Sequence, residues 1–161
     1  MTIYCQSFEI TMKLTKNLTL QEATKSNTAT RLGIDNTPNQ ATIETMIETA
    51  EKIFQPLRDK LGAIRVSSFY RSPDLNRAIG GSKSSQHCKG EAIDMQGILT
   101  TNKELFEEAC KLDVFDQIIW EFGTLEEPDW VHVSYSPTNN RKQILRATKI
   151  GKRTAYVPYR K

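Results

Sequence analysis

The chain has 161 residues, 38% of them hydrophobic and 25% charged, and a net charge of +3. That is long enough for one domain with a core of its own, and no run approaches the roughly 20 apolar residues of a membrane span, so a soluble protein is expected. Three cysteines, Cys5, Cys88 and Cys110, form no metal-like or redox-like pair, and an odd count argues against a disulfide framework.

Met1 to Thr11 has no basic start and no continuous apolar segment, so it does not read as a secretory signal, and Met12 would serve equally well as a start. Residues 1–17 are read as an N-terminal extension, 18–150 as a single domain and 151–161 as a basic tail. Leu18 to Asn36 is polar and threonine-rich, with one short helical turn near Leu20 and a break at Gly33. Thr37-Pro38-Asn39-Gln40 reads as a capping box with proline at the first helical position. Ile43, Met46, Ile47, Ala50, Ile53, Phe54, Leu57 and Leu61 then recur at helical spacing as one apolar stripe. Pro56 predicts a kink or early stop, and Gly62 ends the helix.

Ala63 to Phe69 alternates as a strand, and Ser72-Pro73 starts a short helix that Gly80-Gly81 stops. A polar loop leads to His87, and Ala92 to Met95 alternates again. Thr101 to Glu104 is a second capping box, opening a helix whose apolar face includes Cys110 as a packed thiol. Phe115 to Phe122 and Trp130 to Tyr135 are strands joined by an acidic turn, and Lys142 to Lys149 adds another. Helical blocks interleaved with hairpin-connected strands give an α+β fold with a mainly antiparallel sheet flanked by helices.

The chain holds two histidines, His87 and His132, and each has an aspartate close by. His87 and Asp94 are separated by six residues across Gly90, a turn and the strand after it. Period two puts His132 with Trp130 and Ser134, away from Val131 and Val133. If the two strands share a sheet, His87, Asp94 and His132 converge on one borderline cation such as zinc, with a fourth position left for water. Asp129, at the entry to the strand Trp130 to Tyr135, is placed to act as base if the chain bends there; otherwise it is an ordinary turn former. Glu121, at the end of its own strand, is the reserve. Arg71, at the mouth of a strand and just ahead of a helix, could neutralise a carbonyl oxygen or a substrate carboxylate, although a lone arginine is more often a surface residue. Cys88, beside His87, is read as a bystander. From Arg141 to the end there are eight basic residues and no acid, a solvated tail or a surface drawn to an anionic polymer.

Ser85-x-His87-x-x-Gly90-x-Ala92-x-Asp94, followed by Asp129-x-x-His132, resembles the signature of the zinc D-Ala-D-Ala metallopeptidases of peptidase family M15. The family includes D,D-carboxypeptidases, D,D-dipeptidases and phage endolysins, and shares its fold with the hedgehog signalling domain. The resemblance covers roughly Ala63 to Ser136, and Thr19 to Leu61 fits the helical lead-in of small phage-type members. It implies one zinc per chain on His87, Asp94 and His132, with Asp129 as general base and Arg71 for substrate binding and carbonyl polarisation. It also implies a peptidoglycan stem-peptide substrate, an amide bond cut by metal-activated water and a monomeric enzyme. Unlike many secreted members, the chain shows neither a signal peptide nor a wall-binding module, which favours a phage-derived or intracellular enzyme, cytoplasmic as made and reaching the wall after release. A non-catalytic, hedgehog-like zinc-binding module is the alternative, though a purely structural site needs no base. Nucleic-acid binding through the basic tail is not expected, because aromatic interleaving and a known motif are lacking.

Overall fold

The computed structural model describes residues 11–160. Of the extension read over residues 1–17, residues 1–10, Cys5 among them, lie outside the described residues.

A small hairpin, β1 (Lys13–Thr15) and β2 (Leu18–Thr19), leads into α1 (Leu20–Thr24) and α2 (Asn27–Leu32). The polar arm is thus more helical than its composition suggests. Local caps account for it: Thr19 and Glu22 form a reciprocal capping box on α1, and the Ser26 side chain accepts from the Ala29 amide to start α2. Gly33 ends α2 in the left-handed conformation, as its position predicts.

The apolar stripe becomes α3 (Gln40–Thr49), a π-helical segment Ala50–Phe54, and α4 (Gln55–Leu61). Its cap is Asn39, whose side chain accepts from the Thr42 amide at 2.9 Å, and not Thr37, whose own amide donates to Asp35. Pro56 has no amide hydrogen to donate back along the helix, and the π-helical register just before it absorbs that loss without ending the helix. Met46, Ala50, Ile53, Phe54 and Leu57 are buried, and Ile43, Ile47 and Leu61 pack against them.

The main sheet has six strands in the order β3 (Ile64–Ser68), β4 (Ala92–Gly97), β6 (Trp130–Ser134), β5 (Gln117–Glu121), β7 (Gln143–Ile150), β8 (Arg153–Pro158). Every pairing is antiparallel except β5 with β7. With helices α5 (Pro73–Ala78) and α6 (Asn102–Ala109), the fold is α+β, as the sequence predicts. Ile93, Met95, Ile118, Trp120, Val131 and Val133 face the helices and form the core with Phe54 and Phe106. The alternate residues of the same strands face the other way, and that second face carries the polar groups described below.

The stretch read as a basic tail contains β8, paired along its length with β7. Upstream of it, cations of the basic run that starts at Arg141 are engaged with the domain. Arg141 grips the buried carboxylate of Asp116 with Nε at 2.9 Å and Nη2 at 2.5 Å, and Arg146 stacks 5.4 Å from the Trp120 ring centre. Burial pushes the Asp116 carboxyl up, but the hydrogen bonds and charge of Arg141 outweigh it and leave the group below its usual range.

Gly90 links the core helix to the site. It has φ +72, and a Cβ there would lie 2.6 Å from Cγ of Met46 and 3.1 Å from the carbonyl oxygen of Thr42. Both left-handed backbone and close approach to α3 therefore require glycine. Gly90→Ala is expected to destabilise the protein by roughly 2 kcal/mol or more in urea denaturation. A wild-type midpoint for that variant would mean that the turn sits clear of α3.

Candidate metal centre and active site

The single 3₁₀ turn Gln86–Lys89 holds His87, β4 supplies Asp94 and β6 supplies His132. Because β4 and β6 pair antiparallel with Asp94 opposite His132, these two side chains project side by side from one face of the sheet. The turn is tied down by the Arg71 amide, which donates to the His87 carbonyl at 3.2 Å. One ligand atom from each of the three residues lies within 4.8 Å of the other two. His87 and Asp94 are buried and His132 nearly so.

The hydrogen bonds fix how the imidazoles are used. His87 Nδ1 lies 2.7 Å from the carbonyl oxygen of Phe69, which can only accept, so this nitrogen carries the proton. In the neutral ring the bare Nε2 is then turned toward Asp94 Oδ2, 3.3 Å away. Two lone pairs facing each other in a buried site call for a cation between them. A backbone carbonyl fixing the far nitrogen is also the usual support of a metal-ligating histidine. His132 Nδ1 lies 2.8 Å from Asp94 Oδ1. Without a metal, burial pushes the Asp94 carboxyl up, but a His87 ring protonated on both nitrogens, through its charge, and the hydrogen bonds from both histidines outweigh it and hold the group well below the usual range. Two imidazoles and a permanently ionised carboxylate are a donor set that fits zinc.

Arg71, just past β3, reaches the same carboxylate: Nη2 lies 2.8 Å from Asp94 Oδ2, while Nε donates to Ser68 Oγ at 2.8 Å. The guanidinium is thereby aimed across the site. These groups line a cleft of about 630 Å³ whose walls also include Gln117, Ile119, Glu121, Trp130, Leu145 and Tyr156. A larger groove, about 760 Å³, runs along β3 and shares Arg71 with the cleft but none of the three candidate ligands.

The two acidic candidates fare differently. Asp129 is exposed and does not line the cleft. Its backbone is busy: the amide donates to the Glu121 carbonyl at 2.9 Å, and its carbonyl accepts from Gln96 and Asn102. Glu121 is 7% exposed and lies in the cleft wall. Burial pushes its carboxyl up to about 7; His132, Arg71 and Lys149 pull the other way, and Asp94 adds to the rise. Gln117, Ile119, Leu145 and Tyr156 are the lining residues that sequence reasoning did not single out. Strand parity would have found the first two, since they alternate with the core residues Ile118 and Trp120.

Between its ordinary pKa of 4.5 and about 7, Glu121 keeps its proton in the folded chain and has lost it in the unfolded one. Stability therefore falls as pH rises through that window, by about 3 kcal/mol for a shift of this size. Urea denaturation of the metal-free protein at pH 4.5 and pH 7.5 should show that loss, and Glu121→Gln should remove most of it. An unchanged pH dependence in the variant would place the titration elsewhere.

No curated protein matches the chain at a significant level. A family model described as Peptidase M15 matches residues 16–134, from just after β1 to the last residue of β6, and so spans all three candidate ligands and Arg71. The chain belongs to peptidase family M15.

Proposed function

We propose that the protein is a zinc-dependent peptidase that hydrolyses an amide bond in peptidoglycan stem peptides, as a D,D-carboxypeptidase or an endopeptidase. The observation that carries this reading is the convergence of His87, Asp94 and His132 on one point of an open cleft, with Arg71 aimed at the same place. A site serving stability alone would be closed on all sides, whereas this one opens to a space large enough for a peptide.

In this reading His87, Asp94 and His132 hold one zinc ion per chain. Zinc in such a site is a Lewis acid that polarises a carbonyl and lowers the pKa of water. The remaining work falls to the chain. Phe69 and Arg71 keep the His87 ring and its turn in place through backbone hydrogen bonds. Arg71 presents a fixed positive charge to the carbonyl oxygen as it gains negative charge, or to a carboxylate of the substrate. An acidic side chain must accept a proton from water, and the motif offers Asp129 while the cleft wall offers Glu121. No helix among the described residues is long and apolar enough to cross a membrane. A monomer acting on the wall after release from the cell fits this reading.

Incubation with purified muropeptides, followed by mass measurement of the products, identifies the bond. A chelator should abolish hydrolysis and added zinc restore it, and His132→Ala should lose both metal and activity. Arg71→Ala should keep its zinc and lose about 100-fold in kcat/KM. Hydrolysis that persists in metal-free protein would rule the reading out.

A further inference from the structure

We infer that Tyr156 binds substrate: its hydroxyl donates to a main-chain carbonyl of the peptide, about three residues along an extended chain from the bond that is cut. The inference rests on the peptidase reading above and adds a distal contact to it.

Strand register places the residue. Glu121 on β5 lies beside Ala147 on β7, and Ala147 lies opposite Tyr156 on β8, so the three share the face of the sheet that carries the cleft. Ala147 is small and fully buried, so a larger side chain covers it, and a ring rooted on β8 can lean across β7 toward Glu121. Tyr156 does line the cleft, in company with His87, Asp94 and His132. The next row along the same face runs from His132 through Ile119 to Leu145, and it gives the cleft an apolar floor between the candidate metal centre and β8. Leaning over β7, the phenol stands about two strand spacings, roughly 10 Å, from β6. An extended peptide covers that distance with about three residues.

The second observation is what the side chain lacks. Tyr156 is more than half exposed, and among the described residues its ring stacks on no other and its hydroxyl makes no hydrogen bond. Elsewhere in the fold Tyr135 donates to Glu48 at 2.6 Å, and Tyr159, just past β8, packs against the Phe106 and Trp120 rings. A tyrosine left at a cleft rim offers a rigid apolar surface with little entropy to lose, and a hydroxyl whose proton is still to be given. Partial burial and the charges of Glu121 and Asp94 push its proton affinity up while Arg71 pulls the other way, so near neutral pH the group is a donor. Those charges belong to the site itself, which agrees with a ring turned inward. A peptide carbonyl is the matching acceptor, because Glu121 and Asp94 disfavour a further carboxylate beside them.

The test follows hydrolysis by zinc-loaded wild type, Tyr156→Phe and Tyr156→Ala of two substrates that share the bond cut. One is the full stem peptide and the other the shortest fragment still cleaved; zinc content and melting temperature are recorded for each protein. Tyr156→Phe keeps the ring over Ala147, so it should melt with the wild type, hold one zinc per chain and lose about 3–10-fold in kcat/KM on the full peptide, through KM. Tyr156→Ala should lose about 10–100-fold. On the short fragment, which ends before it reaches β8, both losses should be at least about threefold smaller. A wild-type KM for Tyr156→Phe on the full peptide overturns the inference, as does an equal loss on the short fragment, a loss that falls in kcat alone, or a loss of zinc. Should Tyr156→Ala fail to fold, Tyr156→Phe decides by the same outcomes. Unaffected variants of an active wild type remove Tyr156 and leave the peptidase reading standing, whereas a zinc-loaded wild type that cleaves no muropeptide overturns that reading and this inference with it.

Discussion

The Asp94 carboxylate is the point at which this structure is tied together. Its two oxygens face His132 at 2.8 Å, Arg71 at 2.8 Å and His87 at 3.3 Å, so one buried anion meets groups from a strand, a strand end and a turn. A charge this deeply placed is tolerated only when it is surrounded by partners of opposite sign. That requirement constrains the geometry around it: β4 must lie between β3 and β6, and the turn carrying His87 must fold back against the end of β3.

The scaffold serves the same end. The apolar stripe on α3 and α4 and the Phe106 side of α6 cover one face of the sheet, which leaves the opposite face of β4, β6 and β5 for polar groups. Gly90 connects the two layers. Its missing Cβ lets the His87 turn settle onto Met46 and Thr42, so core packing sets the height of a ligand above the sheet. The same arrangement makes the site sensitive to packing changes far from any reacting atom.

The hairpin β7–β8 adds a wall that the family match, ending at residue 134, does not include. Leu145 and Tyr156 from this hairpin line the cleft. Asp116 and Arg141 anchor its start, and Arg146 and Lys149 lie over the Trp120 and Phe122 rings. Cations that look like a solvated tail when counted are therefore in part structural.

Much of this was decided locally and could be read from the chain. The stripe from Ile43 to Leu61, the caps at Ser72 and Thr101, the alternation in the strands and the spacing of His87, Gly90 and Asp94 depend on neighbours a few residues away, so sequence alone set them. Local competition moved the α3 cap from Thr37 to Asn39, a choice between two adequate capping residues that periodicity does not resolve. Tertiary structure decided the rest. Whether residues 153–158 form a strand depends on β7 offering an edge, and whether Asp129 or Glu121 faces the cleft depends on the register between β5 and β6. Register is a relation between distant segments, set by which side chains the core accepts, and a motif counted along one strand carries no information about the strand beside it.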